Sequence, residues 1–280
     1  MGARMTVGSV SGKSILVTGG GSGIGRGIAA SLVAGGADVT ILGRNRERLD
    51  ATVSEIDGAG SVHAVAADIT DEEQVAAAVS EVVERAGRLD GVVACAGGSE
   101  TIGPVTQIDS AAWRNTVDLN VNGTMYTIKH AARELVRAGG GSIVAISSIA
   151  SSNTHRWFGA YGVTKSAVDH LVRLAADELG ASNVRVNGIR PGLTRTELVA
   201  LVLDSPELSA DYAAATPLPR VGEVDDIAAL ATFLLGDAST WITGQVVNVD
   251  GGQMLRRGPD YSSMLEPLFG EDGLRGVVAP

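Results

Sequence analysis

Seven short apolar runs recur along the chain, and most of the intervals between them read with a helical period. The runs are SILVT from Ser14, DVTIL from Asp38, HAVAAD from His63, GVVACA from Gly91, SIVAIS from Ser142, VRVNGI from Val184 and QVVNVD from Gln245. They are rich in β-branched residues and lack strict polar alternation, as strands buried on both faces must be. Strands that alternate with longer amphipathic segments predict an α/β protein, a doubly wound parallel sheet of about seven strands with helices on both faces.

The helical intervals are GIGRGIAASLVAGG, DEEQVAAAVSEVVERAG, AAWRNTVDLNVNGTMYTIKHAARELVRAG, GAYGVTKSAVDHLVRLAADELG and DDIAALATFLLG. Several stop at glycine, the usual C-terminal signal. The third reads as one long helix. The second follows DIT, where Thr70 is placed to cap and the acids behind it suit the helix dipole.

No linker-like stretch or internal repeat divides the chain, so residues 1–252 are expected to form one domain, with 193–215 as an excursion that closes as a lid. The tail, 253–280, carries Tyr261, Met264, Leu265, Leu268 and Phe269. It is too apolar for an ordinary disordered end and is expected to pack on the domain, at the site entrance or on a neighbouring subunit. A formal net charge of −10 argues against nucleic acid or an anionic membrane as the partner. The chain has no apolar run of the roughly 18 residues that a membrane helix needs. Its single cysteine, Cys95, fits a reducing compartment, so a cytoplasmic protein is expected.

TGGGSGIG, Thr18 to Gly25, follows the first strand and opens the first helix. Gly19, Gly23 and Gly25 let the chain turn tightly and bring backbone N–H groups and the helix dipole to a pyrophosphate. At the end of the second strand, an NAD-binding chain places a carboxylate on the ribose hydroxyls. Here that position is Gly43, followed by Arg44 and Asn45. A guanidinium suits a phosphate, so NADP(H) is favoured and NAD(H) is the alternative. Asp68 can accept from an adenine amino group or begin the DIT cap.

YGVTK, residues 161–165, uses one of only three lysines. Residues i and i+4 share a helix face. Hydride reduction of a carbonyl leaves an alkoxide that needs a proton from an acid placed at the oxygen. A free tyrosine, with a pKa of about 10, is a poor shuttle at neutral pH, and a neighbouring ammonium favours its phenolate. The alternative is a surface helix that merely carries both side chains.

With these motifs in order, the sequence resembles the short-chain dehydrogenase/reductase family in its compact single-domain form, over about residues 12 to 252. The family pattern is TGxxxGxG, NNAG, a helix Asn, a strand ending in Ser, YxxxK and PGxxxT. It is matched by TGGGSGIG, ACAG at 94–97, Asn120 in DLNVNG, Ser148 in IVAISSIA, YGVTK and PGLTRT at 191–196. The resemblance implies a Rossmann-type fold and an oxidoreductase that interconverts a carbonyl and an alcohol. It implies that Tyr161 is the acid/base and that Lys165 holds the nicotinamide ribose and lowers the pKa of Tyr161. Ser148 would orient the carbonyl, and Asn120 would complete a water relay to the lysine. Pro191, Gly192 and Thr196 would wall the nicotinamide, and Ser22, Ile24, Ile69, Ala96, Gly97 and Thr194 complete the implied cofactor contacts. ACAG departs from NNAG by Ala94 and Cys95, which puts the support of that strand end in question.

An enoyl or dienoyl reductase on the same scaffold and a non-catalytic dinucleotide sensor are the alternatives. YGVTK counts against the first, and the joint presence of Ser148, Tyr161 and Lys165 counts against the second. His63, His130, His155 and His170 lack ligand spacing, so no metal is expected. Trp157 and Phe158, just ahead of Tyr161, suggest a hydrophobic acyl-, steroid- or terpenoid-like substrate, or simply core packing. The family habit implies a homotetramer, or a homodimer.

Overall fold

The computed structural model describes residues 9–256, 258 and 260–278, so residues 1–8 of the expected 1–252 unit lie outside the described residues. The seven apolar runs become β1 (Ser14–Thr18), β2 (Asp38–Gly43), β3 (Ser61–Ala66), β4 (Gly91–Ala94), β5 (Gly141–Ile146), β6 (Val184–Pro191) and β7 (Val246–Val249). They form one sheet in the order β3-β2-β1-β4-β5-β6-β7, with every neighbouring pair parallel. The order reverses between β1 and β4. In such a sheet, the crevice beyond the strands' C-terminal ends at that point is where ligands bind.

Each strand supplies both faces. Leu16 of β1 and Ile143 of β5 enter one core, while Ile15, Val17 and Val144 enter the other. The first core is closed by α3 (Glu72–Ala86), α5 (Gly123–Arg137) and α6 (Ala160–Leu179) through Val75, Val79, Ile128, Leu135, Val168 and Val172. The second is closed by α1 (Gly23–Ala34), α2 (Arg46–Glu55) and α9 (Val224–Leu235) through Ile28, Leu32, Leu49, Ile227 and Leu234.

The structure departs from the sequence reading in three places. Helix α2 went unrecognised because only Leu49 and Thr52 of its ten residues are buried, too few to mark a period. The cap of α3 is Asp71, not Thr70: the Asp71 carboxylate accepts from Glu73 N and Gln74 N, while Thr70 donates back to Asp68. The long third helix is α4 (Ser110–Val117), a π turn over Asp118–Asn122 and then α5. The excursion forms two short helices, α7 (Ala200–Leu203) and α8 (Pro206–Ala215), and the tail folds into α10 (Ser262–Leu274), kinked at Gly270.

The tail and the excursion meet in a third apolar cluster. Leu208 and Tyr212 of α8 pack on Tyr261 and Leu265, joined by Trp157, Phe158, Leu193 and Phe269. Tyr261 is among the largest fully buried side chains of the described residues.

Candidate active site

Four of the six motif segments lie at the C-terminal end of a parallel strand, and the π turn and α6 bring Asn120, Tyr161 and Lys165 to the same side. After β1, Gly19 adopts φ +69°, and a Cβ there would lie 2.9 Å from the Ala96 backbone. Gly25 brings α1 against the loop so closely that a Cβ would meet Gly19 O at 2.3 Å. The first turn of α1 has no acidic residue, and Ser22 makes no side-chain cap. By contrast, α2, α3, α4 and α8 are capped by the side chains of Asn45, Asp71, Asp109 and Ser205. A helix N-terminus left open behind a glycine loop is a fitting cradle for a dinucleotide pyrophosphate. Thr196 faces the same loop, since a Cβ on Gly23 would lie 3.4 Å from its methyl group. Thr194 is buried and donates to Gly192 O at 3.0 Å.

At the end of β2, Arg44 is 72% exposed and lies 3.9 Å from the Asp68 carboxylate, across the β2–β3 edge. Asn45 accepts from Arg48 N as the cap of α2. Ile69 packs into the core, where Gly123 admits its side chain. Ile24 packs partly buried against the α1 side.

The departure at ACAG has a local answer. The hydroxyl of Thr18 accepts from Cys95 N at 3.1 Å and Ala96 N at 3.2 Å and donates to Val93 O, so β1 ties down the end of β4. A hydroxyl residue ending a buried apolar strand was the available signal, and the sequence reading passed over it. Burial pushes the Cys95 thiol up to about 12, against the pull of Lys165, so it is not a thiolate at neutral pH.

Tyr161 and Lys165 stand one turn apart on α6, with the ammonium 5.7 Å from the centre of the phenol ring. Lys165 is 4% exposed and donates to Ile146 O at 2.8 Å, at the end of β5. Ser148, two residues further on, lies near the Tyr161 phenol and favours its ionised form. The π turn sinks Asn120 to 0% exposure. Its Nδ2 donates to Gly98 O at 2.7 Å and Thr164 Oγ1 at 2.9 Å, and its Oδ1 accepts from Gly98 N. A methyl group on Gly97 would lie 2.9 Å from Asn120 Oδ1 and 3.1 Å from Lys165 Nζ, so both polar heads face one small space.

The electrostatics correct the sequence expectation in one respect. Burial raises the Tyr161 pKa above its ordinary value, against the pull of Ser148. The same burial brings Lys165 down to about 8, with Cys95 and Asp169 holding it up.

Phe158 meets the Tyr161 ring edge-on at 5.5 Å and the Tyr261 ring at 5.2 Å. Trp157 turns toward the tail instead. Its backbone takes φ +71°, its indole donates to Ser262 Oγ at 3.3 Å, and Arg156 stacks 4.7 Å from its ring. Beside this pair lies a cavity of about 400 Å³, bounded also by the Gly103–Ile108 loop and Leu274. No cluster of metal-ligating side chains and no helix long and apolar enough to cross a membrane occurs among the described residues.

Comparison with known proteins decides the family. A family model described as enoyl-(acyl carrier protein) reductase matches residues 19–254. The 7alpha-hydroxysteroid dehydrogenase of Escherichia coli K12 is 35% identical over 243 residues, 86% of this chain and 94% of the relative. The chain is a short-chain dehydrogenase/reductase. This dehydrogenase/reductase is also 33% identical, over 88% of its length and 97% of the relative's, to a galactitol 2-dehydrogenase (L-tagatose-forming) of Cereibacter sphaeroides. A solved short-chain dehydrogenase/reductase from Mycobacterium ulcerans superposes with a TM-score of 0.95 at 66% identity, covering 96% of this chain and all of that one. The protein is therefore an NAD(P)-dependent oxidoreductase acting on CH–OH and C=O groups.

Proposed function

We propose that this enzyme interconverts a hydrophobic ketone and its secondary alcohol with NADP(H), using Tyr161 as the acid/base. The observation that carries the reading is the constellation of the half-buried Ser148 and Tyr161 with the buried Lys165, just past the C-terminal end of β5 and in the first turns of α6. The cofactor, when bound, supplies or receives the hydride. Gly19, Gly23, Gly25 and the open end of α1 hold its pyrophosphate, and Lys165 and the Pro191–Thr196 segment hold its nicotinamide end. Ser148 orients the substrate oxygen without competing for charge. Tyr161 gives its proton to the nascent alkoxide in reduction and takes it back in oxidation. Lys165 supports the phenolate through its positive charge. Asn120 and Lys165, facing the space over Gly97, hold the water through which Tyr161 is reprotonated.

Arg44 supports NADP(H): it is a largely exposed guanidinium at the end of β2, where Gly43 offers no carboxylate. Phe158 and the apolar cluster beyond it support a hydrophobic substrate. The matched family's description favours an enoyl reductase as the second reading. Against it stands Ser148 near the Tyr161 phenol, where a hydroxyl suits a carbonyl oxygen. The reading includes a homo-oligomer, tetramer or dimer, formed by second copies on the groove between α5 and α6, where Val136 and Leu174 are exposed. Cytoplasmic localisation stays with it, from the single cysteine.

The test is fluorescence titration with NADPH and NADH, then turnover of paired ketones and enoyl thioesters, with the mass in solution measured alongside. Tighter NADPH binding and ketone reduction are expected. Equal or tighter NADH binding removes the Arg44 argument, and enoyl turnover without ketone turnover establishes the second reading.

A further inference from the structure

Tyr212 of α8 and Tyr261, at the start of α10, come from segments 49 residues apart and share one hydrogen bond, hydroxyl to hydroxyl at 2.6 Å. They are 6% and 1% exposed. Two phenols carry two hydroxyl protons, and a bond between them uses one. Neither hydroxyl has a further partner among the described residues. One donor is therefore left over in an apolar cluster formed by Leu208, Leu265, Leu193, Val202, Trp157 and Phe158. A buried donor without an acceptor is costly, and native proteins leave few of them.

The position of the pair indicates what the spare donor is for. Phe158 bridges Tyr161 and Tyr261, touching one ring edge-on and the other at 5.2 Å. Tyr212 in turn meets the Tyr261 ring edge-on at 6.4 Å. The rings of Tyr161, Phe158, Tyr261 and Tyr212 thus form one continuous aromatic wall, with an acid/base hydroxyl at one end and an uncommitted hydroxyl at the other.

We propose that the Tyr212–Tyr261 pair is a second polar anchor of the substrate site, donating its spare O–H to an oxygen that the substrate carries away from its reacting carbon. The anchor rests on the reading that a ketone or alcohol lies against Tyr161, and it narrows the substrate class. The preferred substrate has an apolar body with two oxygen functions, one that reacts and one that is held. It also gives the tail a task, because Tyr261 lies beyond the last strand and brings its hydroxyl to the lid helix.

The experiment compares two ketones of nearly equal shape, methyl 4-oxocyclohexanecarboxylate and 4-propylcyclohexanone, with the intact enzyme and the variants Tyr212→Phe, Tyr261→Phe and the double variant. The expected result is a kcat/KM about tenfold higher for the ester in the intact enzyme, carried by KM, as one well-placed hydrogen bond provides. In each variant the ratio of the two ketones falls toward one. A purely structural pair would lower the thermal midpoint and leave the ratio unmoved, and that result overturns the anchor. Equal kcat/KM for the two ketones in the intact enzyme overturns it as well, even if a variant does not fold, while the assignment of Tyr161 stands. Failure of the intact enzyme to reduce either ketone overturns the underlying reading and the anchor together.

Discussion

On the β1–β2 side of the crevice, the groups proposed to hold the cofactor are mostly backbone: the tight glycine loop, the uncapped start of α1, and a β4 end tied by the Thr18 hydroxyl. On the α8–α10 side the groups proposed to meet the substrate are side chains: Phe158 between two tyrosines, a tryptophan at φ +71°, and a hydroxyl pair joining α8 to the tail. The first side presents N–H groups whose positions are fixed by strand ends and helix starts, so it can hold the same anionic group whatever side chains surround it. The second depends on which residues meet across long sequence separations. Such a surface changes its preference with a few substitutions. Relatives acting on a hydroxysteroid and on galactitol fit that contrast.

The contrast breaks or sharpens by experiment. Tyr161→Phe, at the seam, should cut ketone turnover by about a thousandfold, within the range of general acid catalysis, with NADPH affinity retained. Stopped-flow turnover and fluorescence titration on one preparation read both. Truncation after Gly252 removes Tyr261 and α10, and misplacement of Phe158 should lower ketone kcat/KM by about a hundredfold. NADPH titration of the truncated chain should be little altered, and loss of cofactor binding there would show that the two sides are not independent. Replacing Arg44 with alanine should weaken NADPH by roughly tenfold or more, as loss of charge-assisted bonds does, and leave NADH unaffected. Thr18→Val strands two N–H groups and should cost about 1–3 kcal/mol in chemical denaturation, with the preference among ketones unchanged.

The smallest effect concerns pH. Lys165 is held near 8 in the folded chain, below its ordinary 10.5. Between those values the unfolded chain binds the extra proton, so this residue makes stability rise with pH from about 8 to 10.5. The difference between the intact protein and Lys165→Met in denaturation midpoint should change over that window and stay flat below it. A difference that is flat throughout would show that the ammonium is better solvated than its burial implies.

Much of the first side was legible in the sequence because it follows from strand ends and glycine spacing. All seven strands fell within a few residues of the apolar runs. Tyr161, Lys165, Ser148 and Asn120 were marked by local motifs, and the structure brings them together on α6, β5's end and the π turn. Helix α2 was hidden because its contact with the core is little more than Leu49. The tail's apolar residues announced packing, but not that Tyr261 would meet Tyr212, since nothing local couples two residues 49 positions apart. The upward push on the Tyr161 pKa was equally out of reach, because burial is a property of the assembled layers.

The wide turn at Asp118–Asn122 has a consequence for insertions and deletions. Removing one of its five residues would let the segment rewind as an ordinary helix with α4 and α5 kept nearly in phase, because a π turn takes up about one residue more than an α turn. Thr116, which accepts from Glu100 N at 3.1 Å and donates to Ala112 O at 2.8 Å, would keep its place, whereas Asn120, inside the turn, would lose its placing against Gly98. A single deletion there should therefore leave the two helices standing and strike only at Asn120, in a stretch that looks, by composition, like any other surface helix.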